Sequence, residues 1–228
     1  MLRNILAGGL VGGILGGAIV GVVQGFTTGP LILHAETFEV ASAHEALVHF
    51  VHAHGHAAPA EHAGDFARFT LTLVATIAVA TGYAWMLLAA MVAKGAPITA
   101  RSVIPWAAAA FFAAGLAPAF GLPPELPGAA AADLSARQLW WLFTAVSSAG
   151  GLAAIFLSRT NVWVLVGIVA LALPHLVGAP HPDGMSSSVP AELAAQFVSA
   201  SLVIQLLMWI GPGVIAGYVV SRQTQASA

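Results

Sequence analysis

The chain has 228 residues, of which 59% are hydrophobic and only 7% are charged, with a net charge of −2 at pH 7. Because soluble domains carry about 25% charged residues, this composition predicts an all-α integral membrane protein made of a single transmembrane domain. It argues against nucleic acid as a partner, since basic residues are not in excess. The lack of cysteine excludes disulfides and thiolate metal ligands.

Six apolar stretches predict a bundle of about six membrane-crossing helices, because a bilayer requires about 20 residues per span. They cover residues 5–33, 69–93, 103–122, 139–157, 162–179 and 197–220. The fifth is the shortest and could be a tilted or re-entrant element, so five spans are the alternative.

The distribution of charge favours six spans and orients them. With six spans, both termini share one side with five of the seven basic residues, and all nine carboxylates fall on the other side. The five basic residues are Arg3, Lys94, Arg101, Arg159 and Arg222. Basic residues mark the cytoplasmic side, so we expect a multi-pass protein of the bacterial inner membrane with both termini in the cytoplasm.

The first stretch contains two rows of glycine at four-residue spacing: Gly8, Gly12 and Gly16, and Gly9, Gly13, Gly17 and Gly21. The apolar run is too long for a signal peptide and lacks a convincing cleavage site, so a retained helix is favoured. Such rows allow another helix to approach closely. They indicate either packing within this bundle or a docking face for a partner or a second copy.

Residues 34–68 form the first long segment on the outer side and hold seven of the nine histidines and five of the nine carboxylates. We expect a histidine-rich external loop. If it is partly helical, Glu45, His49 and His52 share one face, and two imidazoles one turn apart can bind one cation. The alternative is a solvated, pH-responsive linker that binds metal only incidentally.

A second group of nitrogen and oxygen ligands, His34, Glu36 and Glu39, closes the first predicted helix. Imidazole with carboxylate suits Co²⁺, Ni²⁺, Zn²⁺ or Cu²⁺, and the ligand types do not select among these ions. Because neutral imidazole is the ligand, capture should weaken below about pH 6.

The outer end of the fifth stretch contains Pro174 and His175, followed by His181 and Asp183. Proline removes a helical hydrogen bond, so we expect a loosened helix end with His175 facing inward, either as a pathway ligand or as a packing residue. Before the fourth stretch, Ser135 and Gln138 predict a capping box, and tryptophans 140 and 141 predict an aromatic belt at headgroup depth.

No Asp, Glu, Lys or Arg lies in the middle of a predicted span, which weakens the case for a coupled transporter. Gln205 is the most polar side chain available there, with scattered serine, threonine and methionine. A nucleotide-binding loop is lacking, and two buried histidines at similar depth, which a haem enzyme would need, are not found. We therefore expect no enzymatic activity and no tightly bound cofactor.

Five segments resemble the CbtA family: PLILHAE (30–36), GLPPELPG (121–128), RQLWW (137–141), LPHLVGAP (173–180) and VPAEL (189–193). The resemblance implies a small membrane protein proposed as a cobalt transporter subunit and linked to cobalamin biosynthesis. It also implies a one-helix, histidine-bearing partner of the CbtB type. The matched positions are Glu36, Glu125, His175 and Glu192, whereas residues 44–62 match no family motif.

These observations suggest the membrane subunit of a cobalt uptake system, with nickel or zinc as other cargoes. The histidine-rich segment would collect the ion, and Glu36, Glu125, His175 and His181 would form the external mouth of its path. The glycine face of the first helix would receive the partner helix. The alternative is a membrane module that senses divalent metal or pH, or scaffolds a partner, without transport.

Overall fold

The computed structural model describes residues 1–48, 61–158, 160–182, 184 and 187–226, and only the backbone of residues 39–48 and 61–65. These residues form helices and no strand. The helices are α1 (Leu2–Phe26), α2 (Thr28–Val48), α3 (Glu61–Lys94), α4 (Val103–Phe111), α5 (Ala117–Ala119), α6 (Leu134–Leu157), α7 (Asn161–Val177) and α8 (Ala191–Gln225). A π-helical turn at Phe112–Leu116 joins α4 to α5.

The described helices confirm an all-helical protein with membrane character. Four of them are long and apolar enough to cross a membrane: Leu2–Phe26, Phe66–Lys94, Leu134–Leu157 and Ala191–Gln225. Two shorter apolar helices, Val103–Ala119 and Asn161–Val177, accompany them. Their lengths lie at the lower limit of about 17 residues for a spanning helix.

Helix α1 packs between α3 and α8, and its glycines make this possible. One row faces α8, where a Cβ on Gly16 would lie 2.7 Å from the backbone nitrogen of Pro212. The other row faces α3, where a Cβ on Gly17 would lie 2.7 Å from the Cα of Ile77. Both rows are therefore occupied within the chain, so the packing interpretation is confirmed. The prediction that this face receives a partner or a second copy is wrong.

The predicted first span, residues 5–33, is interrupted at Thr27, between α1 and α2. Pro30 has no N–H to donate to the carbonyl of Phe26, so the regular helical hydrogen bonding cannot continue across this point. The Thr27 hydroxyl donates to the carbonyl of Val23 at 2.7 Å and satisfies part of the interrupted turn. Helix α2 then packs against α1 and α8.

Pro174 does not loosen α7, contrary to our prediction, because α7 continues through it to Val177. The carbonyl that Pro174 cannot reach belongs to Ala170, four residues earlier, and it accepts a 2.6 Å hydrogen bond from the Ser147 hydroxyl on α6. Trp140 of α6 also donates its indole N–H to the Pro174 carbonyl at 3.3 Å. The Ser147 side chain of α6 therefore supplies the hydrogen bond that proline removes, and Trp140 adds a second bond to the same part of α7.

The start of α6 also differs from the prediction. Its N-cap is Asp133, whose carboxylate accepts hydrogen bonds from the backbone N–H of Ala136 at 3.0 Å and from the Ser135 hydroxyl. Ser135 thus supports the cap rather than forming it. Trp140 is buried and only Trp141 is exposed, so an aromatic belt does not describe both residues.

Candidate functional site

Three of the segments that carry the family resemblance meet at one end of the bundle. Ala35 of α2, Leu126 of the proline-rich turn and Leu193 of α8 are buried in one cluster with Val189 and Phe197. Three glutamates, at positions 36, 125 and 192, each directly adjoin one member of this cluster in the sequence. Burial of the apolar neighbours therefore places the three acidic positions around this one cluster.

Glu36 forms a two-pronged ion pair with Arg68, which links α2 to α3. The Arg68 Nη1 lies 3.0 Å from the Glu36 Oε2, and the Nη2 contacts the other oxygen. Parallel hydrogen bonds of this kind fix the carboxylate plane as well as its charge. The carboxylate is therefore already neutralised in this arrangement.

The histidine-rich segment is less loop-like than predicted. Helix α2 extends to Val48 and α3 begins at Glu61, so both ends of residues 34–68 are helical. His34 is exposed, with its ring 5.2 Å from that of Phe38. Glu39 and Glu45 lie on the α2 backbone, whereas His49 and His52 fall outside the described residues. The shared face of Glu45, His49 and His52 stays a prediction.

Glu125, in the proline-rich turn, pairs with Arg137 of α6, with 2.6 Å between Oε2 and Nη2. This pair is more enclosed than the Glu36–Arg68 pair, with 24% of the Glu125 side chain and 28% of the Arg137 side chain exposed. The Nε of Arg137 is buried and has no hydrogen-bond partner in the described structure. Such an unmet donor costs about 1–3 kcal/mol, so this arginine is incompletely satisfied.

His175 is exposed on α7, which differs from the inward orientation that we expected. Its ring meets those of Phe120 and Trp140 edge-on, with centroid distances of 6.2 and 6.0 Å. Burial of Pro174 and the bond from Trp140 orient this turn of α7 so that the next residue faces outward. His181 is exposed as well, and Asp183 lies outside the described residues.

In the parts of the chain that the structure describes, no three His, Asp or Glu side chains come together as a metal site. Two of the four residues predicted for the external mouth, Glu36 and Glu125, are bonded to arginine, and the two histidines are exposed. The described residues thus present separate ligands around one end of the bundle rather than one coordination sphere.

The sequence did not indicate a cavity of about 560 Å³ that extends from the Glu125–Arg137 pair towards the bundle interior. Gln205 of α8 and Gly115 of the π-helical turn line its inner part. A Cβ on Gly115 would overlap the Gln205 Oε1, so a larger residue here would displace this amide from its place in the cavity. The one available signal was Gln205 itself, an amide within an apolar span.

Comparison with known proteins gives a family but no close relative. No match was found among curated proteins or among solved structures. The CbtA family, described as "Probable cobalt transporter subunit (CbtA)", matches residues 2–221, which is almost the whole chain. The chain belongs to the CbtA family of probable cobalt transporter subunits.

Proposed function

We propose that this chain is the membrane subunit of a cobalt uptake system that captures Co²⁺ outside the cell and passes it through the helix bundle. The family match over residues 2–221 is the observation that carries this proposal. Three segments that resemble the family also meet in one buried cluster. This supports the proposal, because it brings the family motifs together at one end of the bundle. The imported cobalt would serve cobalamin biosynthesis.

The proposal includes six membrane crossings with both termini in the cytoplasm. At 1.5 Å per residue, the 17-residue helices Val103–Ala119 and Asn161–Val177 are each about 26 Å long, close to the thickness of the hydrocarbon core. The first packs on α8 and the second on α6, so both extend along helices that are long enough to span. Six crossings also keep five of the seven basic residues on one side.

We propose that the histidines between 44 and 62 collect the ion. The ligands around the buried cluster of Ala35, Leu126 and Leu193 then receive it. His34, His175 and His181 are exposed and can bind metal as they stand. Glu36 and Glu125 would first have to leave their arginines. Glu39, Glu45, His49 and His52 belong to the collecting side of the same path. Nickel and zinc would be the competing cargoes, because the ligand types do not exclude them.

The partner in this proposal is a one-helix, histidine-bearing subunit of the CbtB type. Its docking surface differs from our prediction, since the glycine rows of α1 are filled by α3 and α8. We propose instead that the partner docks beside the exposed imidazole of His175, so that both subunits contribute ligands to the path.

Uptake of radiolabelled Co²⁺ into proteoliposomes tests the proposal, with this chain alone and together with the partner. We expect uptake that requires the partner and falls strongly in His175→Ala. The control is Ser199→Ala, which changes an exposed side chain of α8 that bonds only within its own helix. Binding of Co²⁺ without flux under any ion gradient would contradict a transport role.

The second candidate function is a membrane module that senses divalent metal or scaffolds a partner. The observation in its favour is that Glu36 and Glu125 serve structural ion pairs, and no three-residue metal site forms among the described residues. A sensor would bind Co²⁺ and change its association with the partner without any flux, so the same vesicles distinguish the two functions.

A further inference from the structure

The open cavity between the proline-rich turn, α6 and α8 combines features that a path for an ion requires. It measures about 560 Å³, whereas a water occupies about 30 Å³ in the liquid, so a cation with six waters would need about 200 Å³. Its outer part is lined by Glu125 and Arg137 and its inner part by Gln205. The space therefore accommodates a hydrated ion between a carboxylate and an amide.

Gln205 is placed at membrane depth for a reason that packing does not supply. It lies about 12 Å along α8 from residue 197, where the predicted span begins. At that depth in the membrane an unsatisfied amide is costly. Among the described residues it has no hydrogen-bond partner, and its side chain reaches the cavity. An amide oxygen directed into a cavity at this depth is suited to bind water or a cation.

The π-helical turn forms the seat for this amide. Pro118 cannot donate to the carbonyl of Ala114, and the chain widens so that the N–H of Ala117 bonds five residues back, to Phe112. Gly115 lies inside this turn, and the Gln205 Oε1 occupies the place where its Cβ would be. The π-helical turn and its glycine thus leave the space that the Gln205 amide of α8 occupies.

The ion pair at the outer part of the cavity explains how a carboxylate can remain there without a metal. Arg137 neutralises Glu125 across 2.6 Å, yet its own buried Nε lacks a partner in the described structure. Among the described residues Arg137 has Glu125 as its one ion-pair partner, so a divalent cation that binds the carboxylate has a single ion pair to displace.

We propose that this cavity is a divalent-cation site in which Glu125 and Gln205 supply oxygen ligands and Arg137 holds Glu125 until the ion displaces it. The inference rests on the proposed transport function for the choice of Co²⁺ as the ion. Oxygen ligands leave much of the hydration shell in place and bind less tightly than imidazole, which suits a site that must also release its ion. Selection among metals would then belong to the histidines outside.

Equilibrium dialysis of Co²⁺ against the full-length protein in detergent tests this site. The background protein carries asparagine at all nine histidines, including the exposed His34, His175 and His181, so that binding by imidazoles does not interfere. We expect one remaining site whose affinity rises at least about tenfold in Arg137→Leu, because the carboxylate then has no counter-charge. The matched control is Arg101→Leu, which removes the same charge from an exposed arginine that does not line the cavity and leaves the affinity unchanged.

Gly115→Ala tests the amide seat without removing any polar group. The added methyl would displace the Gln205 side chain, so we expect affinity to fall about as far as in Gln205→Leu. Gly150→Ala is the matched control, since a Cβ on Gly150 meets nothing within 4 Å. Equal Co²⁺ affinity in Gly115→Ala and Gly150→Ala would overturn the proposal, as would weaker or unchanged binding in Arg137→Leu.

Glu125→Gln should abolish binding, and the double variant Glu125→Gln with Arg137→Leu shows whether folding is responsible. The double variant has neither charge, so the outer part of the cavity is neutral as in the native pair, and we expect a folded protein without the site. Retained Co²⁺ binding in the double variant would refute the proposal. Binding as expected but without uptake in vesicles would refute transport and leave this site standing.

Discussion

The Ser147 hydroxyl donates a 2.6 Å hydrogen bond to the carbonyl of Ala170, which is the carbonyl that Pro174 cannot reach. The bond joins α6 to α7 where α7 lacks a bond of its own. In Ser147→Ala the carbonyl loses this partner, so we expect a loss of about 1–3 kcal/mol in the free energy of unfolding. Unfolding in mixed micelles, followed by circular dichroism, measures this loss.

Pro174→Ala provides the control for that prediction. Alanine restores an N–H at position 174, which can bond to Ala170 within α7. We therefore expect Ser147→Ala to cost much less in the Pro174→Ala background than in the native chain. Equal costs in the two backgrounds would show that the hydroxyl stabilises the bundle in some other way.

Gly17→Ala tests the packing of α1 on α3. The new Cβ would lie 2.7 Å from the Cα of Ile77, and backbone at that point cannot move as a side chain can. We expect destabilisation of about 1–3 kcal/mol, the usual cost of overpacking. The same substitution at Gly82 of α3 meets nothing within 4 Å and should be close to neutral. A neutral Gly17→Ala would mean that α1 does not pack this closely.

The N-cap of α6 predicts a dependence of stability on pH. Hydrogen bonds from the Ser135 hydroxyl and then from the backbone N–H of Ala136 lower the pKa of Asp133. A carboxyl whose pKa is lowered by folding stabilises the folded protein above its unfolded pKa, about 3.9 for aspartate, and this contribution is lost as pH falls through the lower folded pKa. Asp133→Asn keeps a capping oxygen and should lack this dependence.

Thermal unfolding of the native protein and of Asp133→Asn between about pH 6 and pH 3 checks this prediction. The difference in melting temperature should shrink as the pH falls through the acidic end of that range. Asp133→Ala, which has no cap, should be less stable than Asp133→Asn at every pH. Identical pH dependence in the native protein and Asp133→Asn would exclude this carboxyl as the cause.

Deletion of residues 43–62 separates collection of the ion from its passage. If this segment collects Co²⁺, its loss lowers the local concentration of the ion, so we expect the KM for uptake to rise by about tenfold or more while maximal uptake is spared. A full-length variant with asparagine at His44 to His62 should behave in the same way, because only the imidazoles matter. Abolished uptake in both variants would place the essential site in the segment itself.

Much of the architecture follows from local properties of the chain. Apolar runs of sufficient length predicted the helical membrane fold, and the spacing of Gly8, Gly12 and Gly16 predicted a close helix contact. The identity of the contacting helix did not follow, because any smooth helix satisfies such a row. The break at Thr27 was missed because the apolar run continues through it, although Pro30 is the physical signal.

The candidate site was less predictable for a reason that His175 illustrates. Its position after Pro174 showed that a helical bond would be lost, but not that Ser147 and Trp140 would supply hydrogen bonds and turn the imidazole outward. Glu125 was identified as a ligand from the family resemblance, and its pairing with Arg137 was not visible in the sequence.

The sequence by itself determined that this protein is helical and apolar, because a bilayer accepts only segments whose backbone is internally bonded and whose charges lie outside it. Tertiary structure alone decided which groups meet. The pairs Glu36–Arg68 and Gly115–Gln205 join residues that are far apart in the chain. Their contact depends on the rotation and register of whole helices, which packing sets only when all the helices are in place.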